Sequence, residues 1–179
     1  VELLIADTIE RAEEIAKQIN LTNTRRKDLD QAITGEAIQL IETDVLAVNR
    51  KSTVVYSENW HKGVVGIVAS RLVERFYRPT IVLTHSNGKI TGSARSVKDF
   101  DVYEAIEACS ELLEQFGGHK YAAGLTLAPE NIGAFREKFE RIVSSTITDE
   151  MLIPELEIDI PIQLSDIGDK FFRILKQFA

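Results

Sequence analysis

Thr80-Ile81-Val82-Leu83-Thr84-His85-Ser86-Asn87-Gly88-Lys89-Ile90-Thr91-Gly92-Ser93-Ala94-Arg95-Ser96 is the stretch on which the fold turns. Thr80 to Thr84 is apolar and β-branched, the composition of a strand. Asn87-Gly88 is a tight-hairpin signal, because both residues tolerate the left-handed backbone that such a turn demands. Lys89 to Ser96 is therefore the antiparallel partner strand. Upstream, Ser52 to Ser57 is a short β-branched strand, and Gly63 to Tyr77 is a helix that starts glycine-rich and stops before Pro79.

Working downstream, Asp101 caps a helix with Val102, Ala105, Cys109, Leu112 and Phe116 along its buried stripe. Gly117-Gly118 ends that helix, and Tyr121 to Leu127 is a further strand. Pro129 opens another helix, with Ile132, Phe135, Phe139 and Ile142 inward. From Ser52 to Thr146 the order is β-α-β-β-α-β-α, an α/β class with a mixed β-sheet and helices packed on it.

Two helices are expected ahead of this body. Ile5, Ile9, Ala12, Ala16 and Ile19 recur at helical spacing, Leu21 to Thr24 breaks the pattern, and Leu29, Ile33, Ala37, Leu40 and Ile41 form a second face. Thr22, Asn23 or Thr24 would cap that second helix. After Pro154, Glu155 to Ile160 alternates like a strand, and Ser165 caps a last helix. The implied organisation is connector helices over 1–49, an α/β domain over 50–147 and a different unit beginning over 148–179.

The 179 residues, 44% of them apolar, suit one domain with appendages and exclude disorder and collagen. No run approaches eighteen apolar residues, so no membrane helix is expected, and the acidic amphipathic start is no signal peptide. A single cysteine, Cys109, excludes a disulfide framework and a cysteine-cage metal site, and points to the cytoplasm. The chain opens with Val1 and stops within an apolar pattern, which reads as a piece of something longer.

The net charge of −7 argues against a generic nucleic-acid coat. Yet Trp60 to Lys98 holds seven basic residues against Glu74 alone. Such a window is either a solvated basic face or a local field that holds an anion.

Three glycine-bearing segments carry the candidate chemistry. Trp60-His61-Lys62-Gly63-Val64-Val65-Gly66 follows a strand and opens a helix, where free N–H groups and the positive dipole end meet. It reads equally as an anion loop or as a glycine-eased helix start. Thr91-Gly92-Ser93-Ala94-Arg95-Ser96 sets Ser93 and Arg95 on one strand face, a hydroxyl beside a planar fork that suits phosphate. Alone, the pair reads as a surface arginine with a solubilising serine. Phe116-Gly117-Gly118-His119-Lys120-Tyr121-Ala122-Ala123-Gly124-Leu125 sets a histidine at a turn before small strand residues, which admit a close-approaching backbone or ligand. His119 would otherwise be a structural turn histidine. No metal-ligand spacing is present.

These segments, with Ile67 to Leu72 and Phe100-Asp101-Val102, occur in an order that closely resembles the RecJ family, the single-strand-specific 5′→3′ DNA exonucleases of bacteria. The resemblance covers that family's DHH-associated domain at about residues 50–147, its connecting helices, and the truncated start of an OB-type domain from Glu155. It implies that a separate N-terminal phosphoesterase domain holds two Mn2+ or Mg2+ ions and that this fragment alone is inactive. It further implies that Ser93, Arg95 and Ser96 bind a 5′-terminal or nearby phosphate of single-stranded DNA. Gly117, Gly118 and His119 would face the scissile phosphate, His119 as the catalytic group, while Trp60, His61 and Gly63 shape the same pocket. Oligoribonucleases and cyclic-dinucleotide phosphodiesterases share the two-part design, and alanyl-tRNA synthetases carry a related domain. A stand-alone phosphate-binding module is the non-enzymatic alternative.

Overall fold

Five strands build one sheet: β1 (Thr53–Ser57), β2 (Thr80–Ser86), β3 (Lys89–Arg95), β4 (Gln115–His119) and β5 (Ala122–Leu127). Their spatial order is β1-β2-β3-β5-β4. The helices are α1 (Ile9–Thr43), α2 (Val65–Phe76), α3 (Val102–Glu107), α4 (Ile132–Thr146) and α5 (Asp169–Leu175). The computed structural model describes residues 1–178, apart from the Val48 side chain.

β1 and β2 run parallel, joined over one face by α2, and every other pairing is antiparallel. The sheet is therefore mixed, as the hairpin and the upstream strand–helix–strand unit require. Asn87 and Gly88 both take positive φ, 54° and 77°, and close the β2–β3 hairpin with Ser86 opposite Lys89. Tyr77, at φ 45°, ends α2 in the left-handed conformation just ahead of Pro79.

Alternation along β2 divides the core. Val82, with Val55, packs under Val65, Val68, Ala69 and Leu72 of α2 and Ile33, Ala37 and Ile41 of α1. Ile81 and Leu83 face the other way, with Ile90, Leu125 and Leu127, onto Val102 and Ile106 of α3 and Phe135, Phe139 and Val143 of α4. Cys109 is buried in this second core, and burial pushes its thiol up to about 11, so it is not a nucleophile at neutral pH.

Several local expectations are corrected. The two N-terminal helices are one, because Leu21–Thr24 contains neither glycine nor proline and the Thr24 hydroxyl donates back to the Asn20 carbonyl at 3.0 Å. Thr8 supplies the N-cap, accepting from the Arg11 N–H. Of the expected stripe, Ile33, Ala37 and Ile41 of α1 are covered by α2 and the sheet, while Ile9, Ile19, Leu29 and Leu40 are exposed and Ile5 lies in a separate, exposed 3-10 turn, Glu2–Ile5.

The helix at Asp101 stops at Glu107, and Phe116, Gly117 and Gly118 lie in strand β4. Two adjacent glycines carry little strand propensity of their own. The open edge of β5 supplies the hydrogen bonds that recruit them, so the order gains a strand and becomes β-α-β-β-α-β-β-α.

Glu155–Ile160 is not a strand. Leu156, Ile158 and Ile160 are exposed, with no sheet edge beside them to complete a ladder. Ser165 sits in a 3-10 turn, Leu164–Asp166, and Gly168 is the N-cap of α5. No helix among the described residues is long and apolar enough to cross a membrane.

Candidate nucleic-acid interface

On the first face of the sheet α1 and α2 lie over β1 and β2, and the first turn of α2 reaches the Ser93–Arg95 end of β3. Beyond that turn, over the rest of β3 and over β5 and β4, the face is open, and the strand register determines what it presents. Residues directly opposite in a ladder point to the same side. Arg95, Ala122 and His119 form one row across the three strands; Ser93, Gly124 and Gly117 form the next; Thr91, Thr126 and Gln115 form the third. A shallow depression of about 330 Å³ lies over the third row and the Gly124–Gly117 part of the second, lined by Thr91, Gln115, Gly117, Gly124 and Thr126, and stops short of Arg95 and His119.

Ser93 and Arg95 come together with the start of α2. The Ser93 hydroxyl accepts from Arg95 Nη1 at 2.9 Å, and the Ala94 carbonyl accepts from the same nitrogen at 2.8 Å. A Cβ placed on Gly66 would lie 3.0 Å from Arg95 Nη2 and 3.2 Å from Ser93 Oγ, so the first turn of α2 rests directly on the pair. No side chain caps that helix start. A guanidinium, a hydroxyl and the positive end of a twelve-residue helix thus converge, which is a chemistry for oxyanions.

Both candidate histidines are oriented by backbone donors two residues on. The Gly63 N–H donates to His61 Nδ1 at 3.1 Å, and the Tyr121 N–H donates to His119 Nδ1 at 3.3 Å. With Nδ1 accepting, the neutral ring carries its proton on Nε2, available as a donor. His61, Gly63 and His119 are all exposed.

The remaining candidates are differently placed. Trp60 is 4% exposed; its indole N–H donates to Glu36 of α1 at 2.8 Å, and its carbonyl accepts from the buried Thr84 hydroxyl at 2.6 Å. It anchors the His61–Gly63 loop from behind. The Ser96 hydroxyl donates to the Phe100 carbonyl at 2.8 Å and its N–H to the Tyr121 carbonyl at 3.1 Å, which ties off the end of β3. Gly118 lies on the opposite side of β4 from Gly117 and His119, pressed against the Ala122 carbonyl and Ala123. Thr91, Thr126 and Gln115 join the face without having been singled out by sequence. The first two sit two residues from Ser93 and Gly124, where alternation points to them; Gln115 has no such signal, because the paired glycines after it read as a helix end.

The basic window is mostly engaged within the fold. Arg71 makes a two-pronged contact with buried Asp30, at 2.7 to 3.0 Å, and that hydrogen bond raises its pKa further. Arg75 pairs with Glu42 at 2.8 Å, Lys89 with Glu114 and Lys98 with Glu155. Arg78 donates to Thr53 Oγ1 at 2.7 Å and to the carbonyls of Ala47 and Arg50. Among the described residues only Lys62 and Arg95 of the seven have neither a carboxylate partner nor a structural clamp, Arg95's two bonds lying within its own strand. The positive charge on the open face is thus Arg95, not a broad wall.

The glycines divide by what surrounds them. A Cβ on Gly92 would overlap the Leu83 side chain and lie 2.9 Å from the Val82 carbonyl oxygen, on the packed face. At Gly117 nothing lies within 4 Å, and at Gly124 the nearest atom is the Gly92 carbonyl oxygen at 3.8 Å. Packing therefore explains Gly92 but not Gly117 or Gly124, whose missing side chains leave the open face clear. Urea unfolding should separate them: Gly92→Val loses about 1–3 kcal/mol or more through overpacking, whereas Gly124→Val keeps or gains up to about 1 kcal/mol. Equal losses would mean that the open row is itself structural.

Among the described residues no group of three His, Cys, Asp or Glu side chains could hold a metal ion.

Residues 49–145 match the family model of the DHHA1 domain. The chain is 40% identical over 169 residues to the single-stranded-DNA-specific exonuclease RecJ of Bacillus subtilis (strain 168), covering 93% of this chain and 21% of that protein. The structure of RecJ in complex with Mg2+ from Thermus thermophilus superposes with a TM-score of 0.72 at 29% identity, over 82% of this chain and 22% of that one. Exonuclease RecJ bound to manganese gives 0.69 at 30% identity, over 83% and 36%. The chain thus spans about a fifth to a third of the length of the proteins it matches. The family model, the similarity to RecJ exonucleases and the mixed five-stranded sheet agree that this chain belongs to the DHHA1 domain family.

Proposed function

We propose that this chain is the DNA-gripping part of a RecJ-like, single-stranded-DNA-specific 5′→3′ exonuclease. The observation that carries the reading is the cross-strand register. It sets Arg95 and His119 at the two ends of one row, beside a row in which Gly124 and Gly117 leave the surface clear.

Arg95, Ser93 and the N-terminus of α2 hold a phosphate at or near the 5′ end. Gly117 and Gly124 let the sugar–phosphate backbone lie against the strands. The Nε2 proton of His119 is donated to an oxygen of the scissile phosphate. The Arg95 guanidinium leans toward Gly66, and two strand spacings of about 4.8 Å separate its row position from that of His119. Arg95 and His119 therefore hold different phosphates. His61 and Gly63, braced by Trp60, form the rim, while Ser96 and Gly118 fix the strand ends.

The described residues do not fit a metal, so hydrolysis is assigned to a domain outside this chain, and the chain alone is inactive. There, Mn2+ or Mg2+ would activate water and flank the scissile phosphate. The contribution here is positioning and charge stabilisation. The parent is proposed to act in the cytoplasm.

The test is fluorescence anisotropy with short labelled single strands, with and without a 5′-phosphate, over a salt series. One to three phosphate contacts give a shallow log–log slope of about −0.7 to −2. A slope of several units without end preference would replace this reading with a nonspecific basic face. In the intact parent, His119→Ala should slow turnover about tenfold, the worth of one neutral donor, while leaving the preference for phosphorylated ends unchanged.

A further inference from the structure

A second cluster of guanidinium groups lies away from the open face, where the end of α1, the outer edge of β1 and α4 meet. A cavity of about 160 Å³ is lined there by Arg50, Arg78 and Arg136, with Asp44, Thr53 and Tyr56. Asp44 lines the cavity with them, while Glu137 and Glu140 of α4 act on Arg136 and Arg78 from beside it. Asp44 accepts from the Leu46 N–H at 2.9 Å and reaches Arg50 only at 3.4 Å. The nearby Glu140 is turned to the Lys51 and Ser52 N–H groups and the Ser52 hydroxyl.

The three arginines differ in what the fold does for them. Arg78 is satisfied by Thr53 and two backbone carbonyls. Arg136 is not: its Nε is buried and has no hydrogen-bond partner among the described residues. Burial, then the charge of Arg50, pushes the Arg136 pKa down. A buried, charged donor without a partner is costly, and native proteins rarely leave one without a reason.

We propose that this cavity is a second oxyanion site, taking one phosphate group between Arg136, Arg50 and Arg78. Planar guanidinium forks match phosphate oxygens, and a phosphate oxygen gives the buried Arg136 Nε–H the acceptor that it otherwise lacks among the described residues. The volume corresponds to about five waters at about 30 Å³ each, and lies below the roughly 300 Å³ at which pockets begin to take drug-sized ligands. It is large enough for a phosphate group, with whatever the group is attached to left outside. The bound group would join α4 to the segment leaving α1, and so stiffen the joint between the long helix and the sheet.

Thermal melting of the chain tests this, in inorganic phosphate against chloride at matched ionic strength. At ten times its dissociation constant, phosphate should raise Tm by about 3–6 °C. Arg136→Met should abolish the rise while leaving Tm in chloride equal or higher, because it removes an unsatisfied donor. Arg50→Gln, closer to solvent, should reduce the rise and serves if the first variant does not fold. The comparison of Arg136 and Arg50 variants is made in the Arg95→Ala background, so that phosphate held by the proposed DNA grip contributes nothing to the rise. No rise in the unmodified chain, or a full rise in Arg136→Met, would overturn the proposal. A single strand without terminal phosphates, used in place of inorganic phosphate, separates the sources. An Arg136-dependent rise with it means a backbone phosphate, and a rise with inorganic phosphate alone means a free oxyanion; both support the site.

Discussion

Arg95→Ala is expected to weaken binding of a 5′-phosphorylated single strand about 10- to 150-fold, and to bring it level with the unphosphorylated strand. The size follows from the interaction lost: a hydrogen bond to a charged group contributes about 1.5–3 kcal/mol. Arg71, Arg75, Lys89 and Lys98 are held by Asp30, Glu42, Glu114 and Glu155 and are not free to compensate. The fold should tolerate the change, since both hydrogen bonds lost run to groups on β3 itself, the Ser93 hydroxyl and the Ala94 carbonyl. Arg95→Lys should recover only part of the preference, because a point charge lacks the fork. Anisotropy titrations in the parent enzyme decide the matter, and an unchanged end preference would remove Arg95 from the site.

Phe139→Ala should cost about 3–5 kcal/mol of stability and lower the melting temperature by about 10 °C or more. Phe139 is fully buried on α4, stacked on Phe135 with ring centroids 5.9 Å apart, in the core behind the open face. Truncation leaves a cavity that the rigid sheet cannot close. Phe139→Leu keeps most of the volume and should cost less than about 1.5–2 kcal/mol. Urea denaturation followed by the fluorescence of Trp60, which lies in the opposite core, reports whether the two cores unfold together. A loss below about 1 kcal/mol for the alanine variant would show that α4 is not integral to the sheet's support.

Much of the fold was legible because its signals are local. Asn87-Gly88 specifies a hairpin through its own backbone preferences, Pro79 bounds α2, and the β-branched runs at Thr53 and Thr80 read as strands wherever they occur. The misreadings share one cause. Gly117-Gly118 becomes a strand because β5 offers an edge, α1 runs unbroken through polar residues because nothing local stops it, and Glu155–Ile160 finds no edge to join. Each of these outcomes depends on a neighbour distant in sequence.

The site divides in the same way. Composition and spacing determined which residue types could meet a phosphate: Arg95 with Ser93 on one strand face, glycines at a helix start, and a histidine after paired glycines. Only the tertiary structure decided which of them share a surface. Sheet register brings Arg95 and His119 into one row, the packing of α2 brings Gly66 onto Ser93, and ion pairs with α1, the turn before β4 and the C-terminal tail withdraw most of the basic window from the open face. Register and ion pairing are relations between segments far apart in sequence, and local preferences do not encode them.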